Sequence, residues 1–309
     1  MCIMKNILFA GLMLFFSCMK GEAQSGAKKK FPEFPKYTVF SAGDDNVNSY
    51  RIPSLLTAKD GSLLVFCEAR RESWKDKSRT DIVVKRSTDN GRTWSAMQDL
   101  TQGTTGAYMD PTPLLDSATG RIFLFTTFWP ADDHTGTKNR AILLTSDDNG
   151  CTWAAPVDVT GTLMPKGSRI YGFGPGAGLQ MVGEKYRGRL ILPARVSKGC
   201  QASVLGKGKT LYFSGIQGIP ETSEYDERAK LTLYKSEDGG RKWDNGLLLY
   251  DKAAGYSCMS FLPDGRMAII FETADTQSFT RKSLPNTKPL KRPDDWMKLD
   301  LILVPVINL

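Results

Sequence analysis

Three short stretches of this sequence contain arginines, acids and tyrosines that could do chemistry. They are Tyr50-Arg-Ile-Pro53, Phe66-Cys-Glu-Ala-Arg-Arg71, and Tyr256-Ser257 a few residues before Pro263-Asp-Gly265. An arginine fork can bind a carboxylate, a carboxyl group can transfer a proton, and an activated tyrosine can act as a nucleophile. Isolated arginines in loops are usually solvated, so the interpretation depends on the elements that position these residues.

The single histidine excludes several kinds of active site. His134 lies in a polar loop, Ala131-Asp-Asp-His-Thr-Gly136, where we expect it to be solvated. A Ser-His-Asp or Cys-His site would have to use this residue, and a site with several histidine ligands is impossible. The spacing of the cysteines fits no metal-binding pattern. We therefore predict neither a metal nor another cofactor.

An eight-residue phrase occurs three times and indicates the architecture. Its copies are Ser87–Trp94, Ser146–Trp153 and Ser236–Trp243, with the pattern Ser-x-Asp-x-Gly-x-Thr/Lys-Trp. Asp and Ser side chains bind backbone N–H groups in turns, Gly adopts a positive φ without a Cβ penalty, and Trp buries a large apolar face. We interpret each copy as a structural turn between two strands, without chemistry of its own.

Apolar runs before each phrase predict strands in groups of four. In the first group, two runs flank Asp60-Gly61 as a hairpin, and Asp81–Arg86 leads into the first phrase. The order recurs along the chain, and we expect Tyr37–Phe40 to complete the blade that holds Leu299–Val304. Groups of four strands without a convincing amphipathic helix favour an all-β fold, a β-propeller, over a β-sandwich or a β-helix.

The N-terminal segment is typical of an export signal. Lys5 supplies a positive charge, Ile7–Phe16 is an apolar run too short to span a bilayer comfortably, and Gly21-Glu-Ala23 is a small-x-small cleavage site. A rival interpretation is a lipoprotein signal with Cys18 as the lipidated residue. The mature chain is predicted to be periplasmic, secreted or attached to the outer surface, without a transmembrane segment. The predicted divisions are a signal peptide at 1–23, a linker at 24–36 and a propeller at 37–309.

The charge of the chain favours an anionic partner without naming one. The formal net charge is +8 over 309 residues. The basic residues are dispersed apart from Lys28-Lys-Lys30 and a stretch near 288–292, which is weaker than the footprint of a nucleic-acid-binding protein. We therefore predict no nucleic-acid partner.

The order of these motifs resembles that of the exo-α-sialidases, or neuraminidases. Arg-Ile-Pro at 51–53, Glu-Ala-Arg at 68–70, three phrases like the family's Asp boxes (BNR repeats), and Tyr-Ser before Pro-Asp-Gly follow one another as in that family. The resemblance covers most of the mature chain. It implies a six-bladed sialidase-type β-propeller that releases terminal α-linked sialic acid from glycoproteins, glycolipids and oligosaccharides.

The resemblance also implies which residues bind the substrate. Arg51 and Arg228 resemble arginines that hold the carboxylate of sialic acid, and Arg70 resembles a further arginine of the pocket. Planar guanidinium forks suit a carboxylate. Glu272, at the end of the last apolar run, resembles the acid that steadies the first arginine.

Two further residues resemble the catalytic pair of the family. Asp76 resembles the general acid/base that protonates the leaving oxygen, and Tyr256 resembles the nucleophile. Sialidases are an exception to the use of two carboxylates, because a carboxylate nucleophile would be repelled by the substrate's own carboxylate. The resemblance implies retention through a sialyl-tyrosine intermediate. Asp81 is a rival acid whose place at a strand start is more typical of a structural residue.

The spacing of the units predicts that about one blade is absent. Unit starts near Arg51, Met109, Phe173, Cys200 and Tyr256 are separated by about 58, 64, 27 and 56 residues. By resemblance, the segment missing near residues 199–200 would carry the glutamate that activates the tyrosine and the middle arginine of the site. The propeller is therefore predicted to be incomplete or five-bladed.

This absence leaves alternatives open. Glu221 or Glu224 could replace the missing base, and Arg195 is a weak substitute for the missing arginine. The main alternative to an active sialidase is an impaired sialidase-like propeller that only binds sialic acid or has a structural role. A propeller that acts on a neutral glycan is a weaker alternative, because gathered arginines have no evident use there.

Overall fold

The apolar runs of the sequence form strands throughout the part of the chain that the structure describes. A computed structural model describes residues 34–102, 106–133, 135–164, 170–174, 176–180, 187–192, 194–195, 203–207, 210–216, 228–238, 241–274 and 298–306. The predicted signal peptide, most of the predicted linker and His134 lie outside the described residues. No helix within these ranges is long and apolar enough to cross a membrane.

The elements are short, as expected for a propeller. Beside the strands there are a 3-10 turn at Asp44–Asn46 and a helix, α1, at Thr160–Leu163. The strands, in chain order, are β1 (Lys36–Ser41), β2 (Ser49–Thr57), β3 (Leu63–Arg70), β4 (Thr80–Ser87), β5 (Gln98–Asp99), β6 (Gly106–Leu115), β7 (Ile122–Pro130), β8 (Arg140–Ser146), β9 (Val157–Asp158), β10 (Gly172–Phe173), β11 (Leu179–Gln180), β12 (Leu190–Ile191), β13 (Ala194–Arg195), β14 (Ser203–Lys207), β15 (Thr210–Ile216), β16 (Ala229–Ser236), β17 (Leu247–Phe261), β18 (Arg266–Thr273) and β19 (Lys298–Pro305).

Four antiparallel groups of four strands form the blades of a β-propeller, as the sequence predicts. Unit I pairs its strands in the order β2-β3-β4-β5, unit II β6-β7-β8-β9, unit IV β14-β15-β16-β17, and unit V β17-β18-β19-β1. Strand β17 has 15 residues, so its first part pairs with β16 and its second part with β18. The pairing of Tyr37 with Leu301 confirms that the β1 strand completes the last blade.

Unit III is smaller than the other units within the described residues. It consists of the antiparallel pairs β10-β13 and β11-β12. The second pair joins Leu179 to Ile191. The N–H of Gly178 donates to the carbonyl of Pro113 at 2.8 Å and so attaches unit III to β6 of unit II.

The repeated Asp phrases form turns that are pinned by their own side chains. In the first copy, the N–H of Gly91 donates to Oγ of Ser87 at 2.9 Å, and the N–H of Thr93 donates to Oδ1 of Asp89 at 2.9 Å. Gly91 has a φ of 83°, and a Cβ there would lie 2.5 Å from Cδ2 of Leu301 in unit V. The turn of one unit thus packs against its neighbour. Equivalent Ser-Asp and Asp-backbone bonds of the other copies involve Ser146, Asp148 and Thr152, and Ser236, Asp238, Arg241 and Lys242.

Apolar cores lie between neighbouring units and hold their inner strands side by side. Leu64 and Phe66 of β3 pack with Ile122 and Leu124 of β7 between units I and II. Similar clusters join units V and I, units II and III, and units IV and V. Full burial of each such side chain stabilises the fold by about 2 kcal/mol. As a result β2, the first strand of unit I, contacts both β17 and β6.

Candidate active site

Two inner strands carry the same irregularity at the end where the candidate residues lie. In β2 the pairing register shifts after Arg51, and Ile52 has a left-handed φ of 57°. In β6 the register shifts after Met109, and Asp110 has a φ of 59°. This conformation costs a non-glycine residue about 1–3 kcal/mol and persists only where surrounding contacts hold it. Each bulge turns a backbone N–H towards a partner outside its own hairpin.

Buried Glu272 on β18 is the partner for the bulge of β2. Its Oε1 accepts the N–H of Ile52 at 2.9 Å and Nε of Arg51 at 3.1 Å, and its Oε2 accepts Nη2 of Arg51 at 3.3 Å. Burial raises the pKa of Glu272, but Arg51, the N–H of Ile52 and Arg228 outweigh this effect and lower it overall. Glu272 is therefore a carboxylate that fixes the guanidinium plane of Arg51.

The ring of Tyr256 lies close to two guanidinium groups. Its centroid is 5.6 Å from Cζ of Arg51 and 5.0 Å from Cζ of Arg228, which directly precedes β16. The N–H of Tyr256 donates to Oε2 of Glu272 at 3.3 Å. A Cβ on Gly255 would lie 2.4 Å from the same oxygen, so a glycine is needed for the carboxylate to approach this closely. Residues of units I, IV and V therefore meet around one half-buried phenol.

A second buried glutamate holds the arginine next to the predicted acid/base. Oε2 of Glu68 accepts Nε and Nη2 of Arg70 at 2.9 and 2.7 Å, and its Oε1 accepts the N–H of Asp110 at 3.0 Å. Nη2 of Arg70 also lies 2.8 Å from Oδ1 of Asp76, and Nη1 donates to the carbonyl of Trp74. The Arg70 side chain is 1% exposed, whereas that of Asp76 is 71% exposed. Asp76 thus ends a chain of charges that begins in the interior.

The loop that carries Asp76 is also attached to unit II. Nζ of Lys77 donates to the carbonyl of Asp133 at 3.0 Å and lies 4.4 Å from the ring centroid of Trp129. The ring of Trp129 meets that of Tyr171 edge-on at 5.2 Å. Arg70 thus holds the loop before Asp76 in the chain, and Lys77 holds it directly after Asp76.

The other sequence candidates have different positions. The rival acid Asp81 is buried, and its Oδ2 accepts Nε of Arg71 at 2.9 Å, so it forms an ion pair within unit I. Glu221, Glu224 and the side chain of Arg195 lie outside the part of the chain that the structure describes. Their suggested roles stay predictions.

The structure places the six predicted site residues in two groups within electrostatic reach of each other. Burial lowers the pKa of Arg51, but the charges of Glu272, Tyr256 and Asp76 raise it overall. Asp76, which lies in the group of Arg70, thus acts electrostatically on Arg51, which lies in the group of Tyr256. The first group contains Arg51, Arg228, Tyr256 and Glu272, and the second contains Arg70 and Asp76.

Sequence reasoning assigned no role to Glu68 or to the amide of Asp110. A signal for Glu68 was present, because the apolar run of β3 ends in glutamate just as the run of β18 ends in Glu272. In the register, Glu68 lies opposite Arg51, at the start of the bulge of β2. The bulge of β6 gave no signal of its own beyond the proline that follows Asp110.

Comparison with known proteins identifies relatives of this chain. Residues 52–214 match the family described as a BNR repeat-like domain. The chain is 32% identical over 243 residues to a sialidase of Paraclostridium sordellii, which covers 70% of this chain and 59% of the relative. It is 32% identical over 185 residues to sialidase-3 of Mus musculus, which covers 52% of this chain and 42% of the relative. The chain therefore spans less than two thirds of the length of these relatives.

Solved structures show the same fold at lower identity. The chain superposes on the Hadza microbial sialidase Hz136 with a TM-score of 0.69 and 21% identity, over 89% of this chain and 69% of that one. It superposes on a Trypanosoma rangeli sialidase in complex with sialic acid with a TM-score of 0.53 and 16% identity, over 89% and 59% of the two chains. The chain thus belongs to the BNR repeat-like family, and the two relatives described above are sialidases.

Proposed function

We propose that this protein is an exo-α-sialidase that hydrolyses terminal α-linked sialic acid from glycoproteins, glycolipids or oligosaccharides. The observation that carries the proposal is the closeness of the Tyr256 ring to the guanidinium groups of both Arg51 and Arg228. The sialidase relatives support it. Such glycoconjugates lie outside the cytoplasm, where the predicted export signal would send the chain.

The substrate class accounts for the cations around the tyrosine. Sialic acid carries a carboxylate on its anomeric carbon, and a guanidinium can bind that group through two parallel hydrogen bonds. Unit charges 4 Å apart near a protein surface attract each other by about 4 kcal/mol. Arg51 is already held by Glu272, so it loses little rotational freedom when it binds. In this proposal Arg51 and Arg228 hold the carboxylate, and Arg70 lines the pocket.

The first proposed step transfers the sialyl group to Tyr256. A base removes the phenolic proton, the phenolic oxygen attacks the anomeric carbon, and the bond from that carbon to the leaving oxygen breaks. Asp76, protonated at this stage, gives its proton to the leaving oxygen, so the aglycone departs as an alcohol. The phenol suits this task because, unlike a carboxylate, it is neutral until it is activated.

The second proposed step returns the enzyme to its starting state. Asp76, now a carboxylate, takes a proton from a water molecule whose oxygen attacks the anomeric carbon, and the phenolic oxygen of Tyr256 leaves and takes back the proton that the base removed in the first step. Two displacements at one carbon give retention of configuration. Glu221 and Glu224 are the bases that the sequence offers for Tyr256, and both lie outside the described residues.

Turnover of a fluorogenic aryl sialoside tests the proposal directly. The wild-type protein is expected to release the fluorophore. Tyr256→Phe is expected to lose activity by a factor on the order of 10⁴ or more, since it removes the nucleophile. Asp76→Ala is expected to lose about 10²–10⁴-fold with a poor leaving group. Well-folded wild-type protein without turnover would contradict the proposed activity.

The shortened third unit favours a second candidate function, the binding of sialic acid without hydrolysis. The strands of unit III form only two short pairs among the described residues. The sequence between Phe173 and Cys200 is about half as long as a complete unit. Isothermal titration calorimetry distinguishes the candidates: heat of binding with sialic acid, together with intact sialoside after long incubation, would support the binding protein.

A further inference from the structure

Both carboxylate oxygens of buried Glu68 bind groups of the candidate site or of the neighbouring unit. Both of its oxygens are used: one accepts two N–H groups of Arg70, and the other accepts the N–H of Asp110 in the next unit. Its side chain has no exposed surface. Because Nη2 of Arg70 also contacts Asp76, the buried carboxylate and the exposed carboxylate share one guanidinium.

The equivalent position in unit V has the same arrangement of a buried glutamate. Glu272 likewise accepts the N–H of the bulge residue in the following unit, Ile52, and likewise binds an arginine. In unit II, the hydroxyl of Thr127 accepts the N–H of Phe173 at 3.1 Å. In these three units the residue at this position joins one unit to the next, and in units I and V it is a glutamate that also binds an arginine.

The charges around Arg70 decide how strongly it acts on Asp76. Burial raises the pKa of Glu68 overall, although the Arg70 guanidinium opposes that rise through its charge and its hydrogen bonds. A carboxylate that is ionised in this pair offsets the positive charge that Asp76 experiences. Without that offset, Arg70 would stabilise the carboxylate form of Asp76 more strongly and Asp76 would release its proton at a lower pH. Asp76 also interacts electrostatically with Arg51 of β2 and with Glu68 itself, and Lys75 and Lys77 lie on the same loop.

We propose that Glu68 is a positioning residue that places Asp76 through Arg70 and offsets the charge of that arginine, so that Asp76 can hold the proton that the leaving oxygen needs. The proposal deepens the proposed sialidase function and rests on it. Glu68 does not touch the substrate in this arrangement. Its effect should therefore depend on how much the leaving group needs a proton.

Glu68→Gln tests this role through pH and leaving group. The alkaline limb of the kcat/KM profile reports loss of the protonated acid in the free enzyme, and we expect it to move about one pH unit lower. The variant should lose about tenfold more kcat/KM on sialyllactose, whose leaving group is a poor one, than on an aryl sialoside. Asp81→Asn is the matched control, because it also breaks a buried ion pair of unit I. It should lower stability and leave the ratio of the two substrates unchanged.

A readout that needs no catalysis separates this proposal from the proposed function. The carboxyl ¹³C resonance of Asp76, titrated by NMR, should have a lower midpoint in Glu68→Gln than in the wild type, whether or not the protein hydrolyses sialosides. An unchanged midpoint, or an unchanged substrate ratio in an active enzyme, would overturn the proposal. If Glu68→Gln does not fold, Arg70→Lys tests the same link, since an ammonium lacks the fork that reaches both carboxylates. An unchanged midpoint for Asp76 in that variant would overturn the proposal as well.

Discussion

The two ends of the same strands are built in different ways. The ladder between β3 and β4 places Ser87 and Arg70 at opposite ends of unit I. At the first end, Ser87 and Asp89 bind each other and the backbone of their own turn. At the second end, Arg51 binds Glu272, which is 221 positions away in the chain. One end is thus a local structure, and the other exists only once the units have assembled.

The difference indicates where the molecule gains stability and where it gives some up. The first end, which we call the turn end, satisfies the hydrogen-bonding groups of its own backbone. It also packs against the neighbouring unit, as Gly91 does against Leu301. The second end, which we call the bulge end, contains two residues with left-handed φ, Ile52 and Asp110, and it buries charged groups. Both the left-handed conformation and the burial of charge cost free energy. If the comparison is right, changes at the bulge end should affect stability and activity together. Changes at the turn end should affect stability alone.

Glu272→Gln is expected to have the largest effect. A glutamine can still accept one N–H, but it leaves the guanidinium of Arg51 without its buried counter-charge. Loss of one partner of a buried ion pair costs about 3–5 kcal/mol. The free energy of unfolding, measured with a chemical denaturant, should fall by about that amount. KM for a sialoside should rise at least tenfold, since Arg51 is no longer fixed.

The pattern of the Glu272→Gln defect also separates the two glutamates. The loss of kcat/KM should be similar for aryl and lactosyl sialosides, because carboxylate binding does not depend on the leaving group. Glu68→Gln should discriminate between them. A Glu272 variant with the stability of the wild type would show that the ion pair between Glu272 and Arg51 contributes nothing to the stability of the contact between units V and I.

Gly150→Ala is expected to act strongly at the turn end. Gly150 has a φ of 81°, and a Cβ there would lie 2.0 Å from Cδ2 of buried Leu64 in unit I. Backbone strain and overpacking together should cost about 2–4 kcal/mol. Gly265→Ala is the matched control, because Gly265 has a φ of 83° with no atom within 4 Å of its Cβ position. Its cost should be about 1 kcal/mol, from strain alone.

Activity measurements on the same two variants test the separation of the ends. Well below the melting temperature, kcat/KM per folded molecule should equal that of the wild type for both. A lower kcat/KM in folded Gly150→Ala would mean that packing between the turn of unit II and β3 of unit I is transmitted to the site. The two ends of the strands would then be coupled.

The sequence predicted the turn end well because its contacts are local. The Asp60-Gly61 hairpin and the three Asp phrases fall within windows of a few residues, so propensity and spacing suffice to find them. The last blade was also predicted, since Tyr37–Phe40 and Leu299–Val304 are strongly apolar runs without other partners. The full length of strand β17 is not evident from the sequence, because Asp251 and Gly255 interrupt the apolar pattern that marks a strand.

The bulge end was predicted only as far as a resemblance allowed. Nothing in the spacing of Arg51 and Glu272 indicates an ion pair over 221 positions. The link from Glu68 to Asp110 depends on a left-handed residue that leaves its N–H outside the ladder. Such a conformation is imposed by the assembled units and is not favoured by the residue itself, so no sequence window contains it.

Asp89→Asn is expected to have the smallest effect and to depend on pH. The hydroxyl of Thr93 and then its N–H, with further bonds from Ser87 and Arg92, lower the pKa of Asp89 to about 2. An ordinary aspartate in an unfolded chain has a pKa of about 3.9. The folded state therefore prefers the ionised form, and Asp89 stabilises the fold fully above pH 4 or so. This contribution is lost as the pH falls towards 2.

The melting temperature of Asp89→Asn should follow that sign. At pH 7 it should lie about 3 °C below the wild type, for a loss of about 1 kcal/mol, and the difference should shrink when both are measured at pH 3. Asp147→Asn is the control, since Asp147 and Arg121 form an exposed ion pair whose removal should shift the melting temperature by less than about 1 °C. A difference in melting temperature that did not change with pH would mean that asparagine lowers stability through its geometry and not through the lost charge. A deficit that also lowered kcat/KM below the melting range would show that even this exposed turn is coupled to the tyrosine at the other end of the units.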